Sequence, residues 1–498
     1  MLYQSTRGGA ARITAAEAIA KGLSEDGGLF VPESFPGLTP DAVKNLTSMP
    51  YAGKAAYILG LFLEEFSTDE LRDYSAQAYG GAAFDHPEVA PLRKLNNNTY
   101  SLELWHGPTS AFKDMALQIL PRLLPASLKK INEKREVCVL AATSGDTGKA
   151  ALEGFRDIPG TKIMVFYPKD GVSEVQKLQM TSQSGGNVNV VAVDGNFDDT
   201  QSGVKAIFSD GDLRGELGNN GCFLSSANSI NWGRLAPQIA YYVSAYCDLL
   251  SSGGIKPGEE VNFCVPTGNF GNILAAYYAA LLGLPVNKLI CASNRNDVLT
   301  QFINTGVYDK NRAFYTTVSP SMDILVSSNL ERLLFEVSGK DGGVVSGYMK
   351  ALSSSGVYEI SQSVRAEINR IFAGGVCAED ETLKTIAGVY DRFGYLIDTH
   401  TAVAFKVMED YRAASNDARP CVVVSTASPF KFCDSVIDAL GRPRMGLSGV
   451  GLIGLLADVT GCDVPAPLSE LSGKTPRFTG SVRPDGMKQA VREFMLKG

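Results

Sequence analysis

The chain has 498 residues, 45% of them hydrophobic and 20% charged, with a formal net charge of -7. That length exceeds one ordinary core, so two or three soluble globular domains are expected, and an acidic chain without a long basic run argues against nucleic acid as the main partner. Nine cysteines without a C-x-x-C, three histidines without an H-E-x-x-H, and a short, glycine-rich apolar stretch at 446–457 give no support to a disulfide scaffold, a metal site or a membrane span.

Thr14 and Glu17 form a capping box that opens a short helix ending near Gly22, and the turn-rich SEDGGLFVPESFP follows. Residues 40–79 carry a helical pattern, with Ala56, Leu59, Leu63 and Phe66 at three- and four-residue spacings. Residues 1–95 therefore read as an N-terminal, mainly helical unit. Beyond it the rhythm becomes strand then helix, repeated. Strands are expected at 136–143, 162–168, 187–195, 261–268, 288–294 and 420–428, with a helix from Lys149 and another capped by Asp198 or Asp199. Such alternation predicts parallel sheets covered by helices. Cys138, Cys264, Cys291 and Cys421 lie inside apolar runs and read as buried free thiols, which suits a reducing cytosol. The first residues, MLYQSTRGGAAR, contain no apolar signal core, so a cytoplasmic location is expected.

The segment WHGPTSAFKD (105–114) sets Lys113 behind the apolar pair Ala111 and Phe112, at the start of a helical pattern. Most lysines are simply solvated, but one against apolar walls loses its proton more readily and can attack a carbonyl. Schiff-base chemistry needs such an amine, with either a substrate carbonyl or pyridoxal phosphate. In open parallel sheets, ligands bind where strands run into helices, and four polar stretches fall at such junctions or beside them. ATSGDTG (142–148) offers backbone donors with Thr143, Ser144 and Thr147, although ordinary helix capping explains it too. PTGNFGN (266–272) has Gly268 and Gly271 for close backbone approach to a phosphate, or simply a tight turn. SANSINWGR (226–234) groups Asn228, Ser229, Asn231 and Arg234, a donor set suited to phosphate or carboxylate and also to a solvated loop. VSTASPFKF (424–432) places small hydroxyls at the end of the last strand, which routine strand termination explains equally well.

As an ordered set, these stretches resemble the threonine synthase family, pyridoxal-phosphate enzymes of the tryptophan-synthase-like fold. HGPTSAFKD resembles the family's lysine motif, ATSGDTG its substrate loop, NSINWGR its polar loop and PTGNFGN its cofactor-phosphate loop. MLYQSTRG, EDGGLFVP, DTHTAVA (398–404) and STASPFKF (425–432) extend the likeness over nearly the whole chain. The resemblance implies an α/β protein with two parallel-sheet domains after the helical unit: a smaller one over 96–225 carrying Lys113 and the carboxylate loop, and a larger one over 226–498 carrying the phosphate loop.

It also implies roles. Lys113 would hold pyridoxal 5'-phosphate and act as the catalytic base, while Gly268, Asn269, Phe270, Gly271 and Asn272 would cradle the cofactor's phosphate. Thr143, Ser144, Asp146 and Thr147 would line the amino-acid carboxylate and ring side. Asn228, Ser229 and Arg234 would receive the substrate's phosphate, and Thr426, in preference to Ser425, would face the pyridine nitrogen. Asp146 stands where related enzymes often carry asparagine, and an ionised carboxylate cannot donate to the ring hydroxyl. The implied reaction converts O-phospho-L-homoserine and water to L-threonine and phosphate. The alternative is a phospho-lyase that releases a keto acid. The chain is expected to work as a monomer or weak homodimer.

Overall fold

Thr14 and Glu17 do form a capping box, and the helix they open, Ala15–Lys21, stops at Gly22, whose φ of 73° costs a glycine little. The structure, a computed structural model, describes residues 1–143 and 145–496. The helical pattern at 40–79 resolves into three helices, Pro40–Thr47, Tyr51–Gly60 and Thr68–Tyr79, the last opened by a second capping box from Ser67 and Glu70. Ala56, Leu59, Leu63 and Phe66 are buried as their spacing requires. This unit also holds a small antiparallel sheet of Tyr3–Ser5 and Phe30–Pro32, whose three-residue strands are too short to show alternation in the sequence. It packs on the long helix Trp232–Ser251, where Tyr3 meets Trp232 edge-on at 5.3 Å and Lys54 pairs with Asp248 at 2.9 Å.

Two parallel-type sheets follow. The larger has six strands in the order Phe372–Val376, Val286–Ser293, Val261–Pro266, Cys421–Ser425, Thr99–Glu103 and Leu92–Lys94, all parallel except the last. The smaller has five parallel strands in the order Ser481–Val482, Val188–Val193, Thr161–Pro168, Glu136–Ala142 and Cys222–Ser226. The central strands, Val261–Pro266, Cys421–Ser425, Glu136–Ala142 and Thr161–Pro168, are apolar runs buried almost throughout, as strands covered by helices on both faces require, while the edge strands Leu92–Lys94, Phe372–Val376 and Ser481–Val482 are partly exposed. The nine cysteines are free thiols, and all but Cys462 are fully buried. No helix among the described residues is long and apolar enough to cross a membrane.

Sheet membership departs from the expected division at 96 and 226. Thr99–Glu103 pairs with Cys421–Ser425, so the strand leading to Lys113 belongs to the larger sheet, and the cut at 95/96 falls between two paired strands. In the other direction, Ser481–Val482 joins the smaller sheet, and Met487, Val491 and Met495 of the last helix pack against Val204, Ile207, Leu213 and Leu217 beside it. Both exchanges join segments about 300 residues apart, which no local pattern encodes. Two helix starts also move. The helix expected from Lys149 begins at Asp146, behind Gly145 at φ 134°. Asn196, rather than Asp198 or Asp199, caps the helix Phe197–Ser209, with Asp199 as the third residue of the box.

Candidate active site

Lys113 stands at the head of the short helix Asp114–Leu117, where the chain leaves the larger sheet. The turn before it is fixed from inside and from the neighbouring strand end. Asp114 accepts hydrogen bonds from the Thr109 backbone N–H and Oγ1, both at 2.8 Å. Gly107 allows that closure, because a Cβ there would come within 2.5 Å of Asp114. Phe112 N–H donates to Thr426 O at 2.8 Å and Ser428 N–H to Ser110 O at 3.0 Å, so residues 110–112 run against 426–428. The Lys113 amine opens into a cavity between the two sheets and rests 4.1 Å from the centre of the Phe112 ring. Enclosure by protein lowers its pKa to about 8; the carboxylate of Asp146 opposes that shift and the cations Arg234 and Lys431 add to it.

The loop after Val261–Pro266 forms the cavity's second wall. Phe270 adopts a left-handed φ of 62°, and the helix Gly271–Leu281 starts directly behind it. A Cβ at Gly268 would meet Ser321 O at 2.6 Å, so nothing larger than glycine fits. Asn272 accepts from the hydroxyls of Tyr241 and Tyr242 through Oδ1, while its buried Nδ2 has no partner. An orphaned donor beside the N-terminus of an 11-residue helix is the chemistry of an anion cradle.

Asn228, Ser229 and Arg234 make the third wall. Arg234 is 3% exposed, and its guanidinium donates to Ala227 O but makes no ion pair among the described residues; Nε has no partner. Burial lowers even this pKa, to about 10. Asn329 ties the second and third walls together. Its Nδ2 donates to Ser229 Oγ and to Asn269 O, each at 3.0 Å. Behind it, Arg332 donates to Ile230 O at 2.7 Å and to Phe30 O at 3.0 Å, anchoring the third wall to the N-terminal unit.

Thr143, Thr147 and Thr426 also line the cavity. Thr143 Oγ1 accepts from Gly145 and Gly148 N–H at 2.9 and 2.8 Å, which closes its loop. Ser425 is turned aside to Trp105 Nε1 and Thr401. Ser144 lies outside the described residues. Asp146 does not line the cavity with the others: its carboxylate pairs with Lys431 Nζ at 2.9 Å and accepts from Gln176 Nε2 at 2.8 Å. Sequence reasoning assigned no role to His400, Gln238, Asn329 or Lys431. His400 lines the cavity, with Nδ1 on Asp398 at 2.7 Å and Nε2 accepting from Ser321 N–H at 3.1 Å. The Asp-x-His spacing at a helix start was its available signal, since Asp398 caps the helix Thr399–Ser415. Asn329 and Lys431 had none, because the partners of Asn329 Nδ2 and of Lys431 Nζ are 60 or more residues away.

Residues 2–79 match the family described as threonine synthase N terminus, 84–351 the pyridoxal-phosphate dependent enzymes, and 401–493 the threonine synthase C-terminal family. Threonine synthase of Pseudomonas aeruginosa is 42% identical over 88% of this chain and 90% of its own length. A human protein described as threonine synthase-like 1 is also 42% identical, over 85% of this chain but 58% of its own length. The solved structure of PLP-bound threonine synthase from Brucella melitensis superposes with a TM-score of 0.87 at 37% identity, covering all of both chains. The chain belongs to the threonine synthase family of pyridoxal-phosphate-dependent enzymes. Its cavity has what that family's cofactor requires: an enclosed lysine of lowered pKa and, opposite it, a glycine-permitted anion cradle with the unpartnered Asn272 Nδ2. Within this threonine synthase fold the buried guanidinium of Arg234, with Asn228 and Ser229, faces the same space.

Proposed function

We propose that this chain converts O-phospho-L-homoserine and water to L-threonine and phosphate, using pyridoxal 5'-phosphate held by Lys113 and by residues 268–272. The observation that carries the reading is Arg234, a buried guanidinium without a carboxylate partner among the described residues, beside Ser229 and Asn228 on the wall of the lysine's own cavity. A buried cation is costly unless an anion meets it, and a substrate phosphate is such an anion. The cofactor's phosphate is accounted for separately by Asn272 Nδ2 and the N–H groups at the start of Gly271–Leu281.

When bound, pyridoxal phosphate supplies an electron sink for negative charge next to the substrate's amino group. The chain's own residues do the rest. Thr143 and Thr147 would meet the substrate's carboxylate, Thr426 would stand toward the cofactor's ring nitrogen, and Asn228, Ser229 and Arg234 would hold the leaving phosphate. Conversion requires removal of an α-proton and a β-proton, departure of phosphate from the γ-carbon, reprotonation there and addition of water at the β-carbon. Lys113 Nζ, with its pKa near 8, is suited to take and return those protons. His400 is less suited, because its Nε2 is already occupied by the Ser321 N–H. The free thiols suit a reducing, cytoplasmic setting, and the enzyme is proposed to work there as a monomer or weak homodimer.

Incubation with O-phosphohomoserine should release phosphate and threonine in equal amounts; a keto acid in place of threonine would make the chain a phospho-lyase. Lys113→Ala should lose the visible absorbance of bound cofactor and essentially all turnover. Near-normal turnover in that variant would refute the assignment.

A further inference from the structure

Lys431 is fully buried in the turn Pro429–Phe432, on the larger-sheet side of the cavity, and its ammonium has two partners. Nζ lies 2.9 Å from Asp146 Oδ1, at the head of the helix Asp146–Phe155 on the smaller-sheet side, and donates to Thr109 O at 2.8 Å. Thr109 belongs to the turn that carries Lys113, so one side chain grips both the only carboxylate of the 142–148 loop and the backbone leading to the reactive amine. Gln176 Nε2 takes the same Asp146 oxygen at 2.8 Å. The charged groups that face Lys113 are Asp146, Arg234, Lys431 and Asp398. Asp398 is committed to His400 Nδ1 and N–H and to Thr401, while Arg234 faces the anion subsite. Asp146 is therefore the carboxylate free to be shared between Lys113 and a competitor.

We propose that Lys431 is a positioning residue that engages Asp146, withholding that carboxylate from Lys113 and keeping the Lys113 amine ready to lose its proton. The inference rests on Lys113 being the cofactor lysine. It also gives Asp146 a role that needs no donor to the cofactor ring: it is the counter-ion of Lys431, held ionised despite its burial by Lys431 and then by Lys113. Without Lys431, the cation left acting on this carboxylate is Lys113. An opposite charge at close range favours the ammonium form, and each unit by which the pKa rises lowers the neutral fraction about tenfold at neutral pH.

The test uses the full chain stripped of cofactor, with the Lys113 amine titrated by competitive acetic anhydride labelling read by mass spectrometry, and in parallel the acidic limb of kcat/KM in the reconstituted enzyme. Lys431→Met should move both titrations upward by about one unit or more. Asp146→Asn should move them downward, and Lys431→Met/Asp146→Asn should return close to the parent value. Opposite signs are the decisive feature. A merely structural role would loosen the site in either single variant, admit water to Lys113 and move both titrations upward, so an upward shift in Asp146→Asn, or no shift in Lys431→Met, overturns the proposal. If Lys431→Met does not fold, the downward shift in Asp146→Asn alone carries the test. The labelling readout does not depend on the cofactor: were Lys113 not the cofactor lysine, Lys113→Ala would keep the cofactor's absorbance while these shifts could still appear.

Discussion

Arg234 is a buried cation on the wall of the Lys113 cavity with no carboxylate at ion-pair distance among the described residues, whereas the buried Lys431, outside that wall, is met by Asp146 at 2.9 Å. The unmet guanidinium is a statement about ligands: a substrate phosphate would supply the missing negative charge. A hydrogen bond to a charged group contributes roughly 1.5–3 kcal/mol, so Arg234→Ala should lower kcat/KM for the phosphorylated substrate by about ten- to a few hundred-fold. Cofactor absorbance should persist, because the cofactor's phosphate is assigned to residues 268–272; equal loss of absorbance and activity would mark Arg234 as structural instead. A second titratable group sits behind the lysine turn. His106 is held between Asp85 at 2.6 Å and Glu103 at 2.8 Å; burial opposes its charge, yet the two carboxylates raise its pKa to about 9. The unfolded value is about 6.5, so the stability this imidazolium contributes is full below that pH and is lost as pH rises through 9. Melting temperature should therefore fall between pH 7 and pH 10, and His106→Gln should flatten that slope. An unchanged slope would show that the carboxylates do not hold the proton in solution.

At the scale of elements, the site is a set of strand-to-helix junctions whose backbone shape matters more than their side chains. Two non-glycine residues in the left-handed region, Ser110 at 57° and Phe270 at 62°, mark the lysine turn and the phosphate loop. Such conformations persist only where surrounding contacts over-determine them. Gly268 is the most constrained point, since the atom a Cβ would strike is the backbone carbonyl of Ser321, which cannot swing away as a side chain would. Overpacking costs about 1–3 kcal/mol, so Gly268→Ala should weaken cofactor affinity by roughly five- to a hundredfold. The measurement is a cofactor titration followed by absorbance. Asn329 ties the 266–272 loop to Ser229 through its bonds to Asn269 O and Ser229 Oγ, so that change should also raise KM for the phosphorylated substrate.

For the whole molecule, the division of labour between the two sheets suggests motion. The loop with Thr143 and Thr147 belongs to the smaller sheet, whereas Lys113, Thr426 and the phosphate loop hang from the larger. Substrate gripped at both ends should draw the sheets together and exclude bulk water until the addition step. Solution scattering should show a smaller radius of gyration with a non-reactive substrate analogue, and hydrogen exchange should slow around residues 142–148. Identical profiles with and without the analogue would refute closure.

Much of this was legible in the sequence because it is local. Capping at Thr14, the buried strand runs, the Gly-bounded loop at 266–272 and the apolar approach to Lys113 each depend on residues within one turn or strand of one another, and backbone sterics fix such features wherever they occur. The tertiary structure alone decided which segments meet. It put the strand before Lys113 into the larger sheet, returned Ser481–Val482 to the smaller one, and tied Asn329 to Ser229 and Lys431 to Asp146. These particular pairings join residues 100 or more positions apart, and their stability comes from burial that exists only once the chain has closed around them. Asp146 shows the difference: its place in the 142–148 motif was visible in the chain, but its partner, and so its chemistry, was set by a lysine 285 positions away.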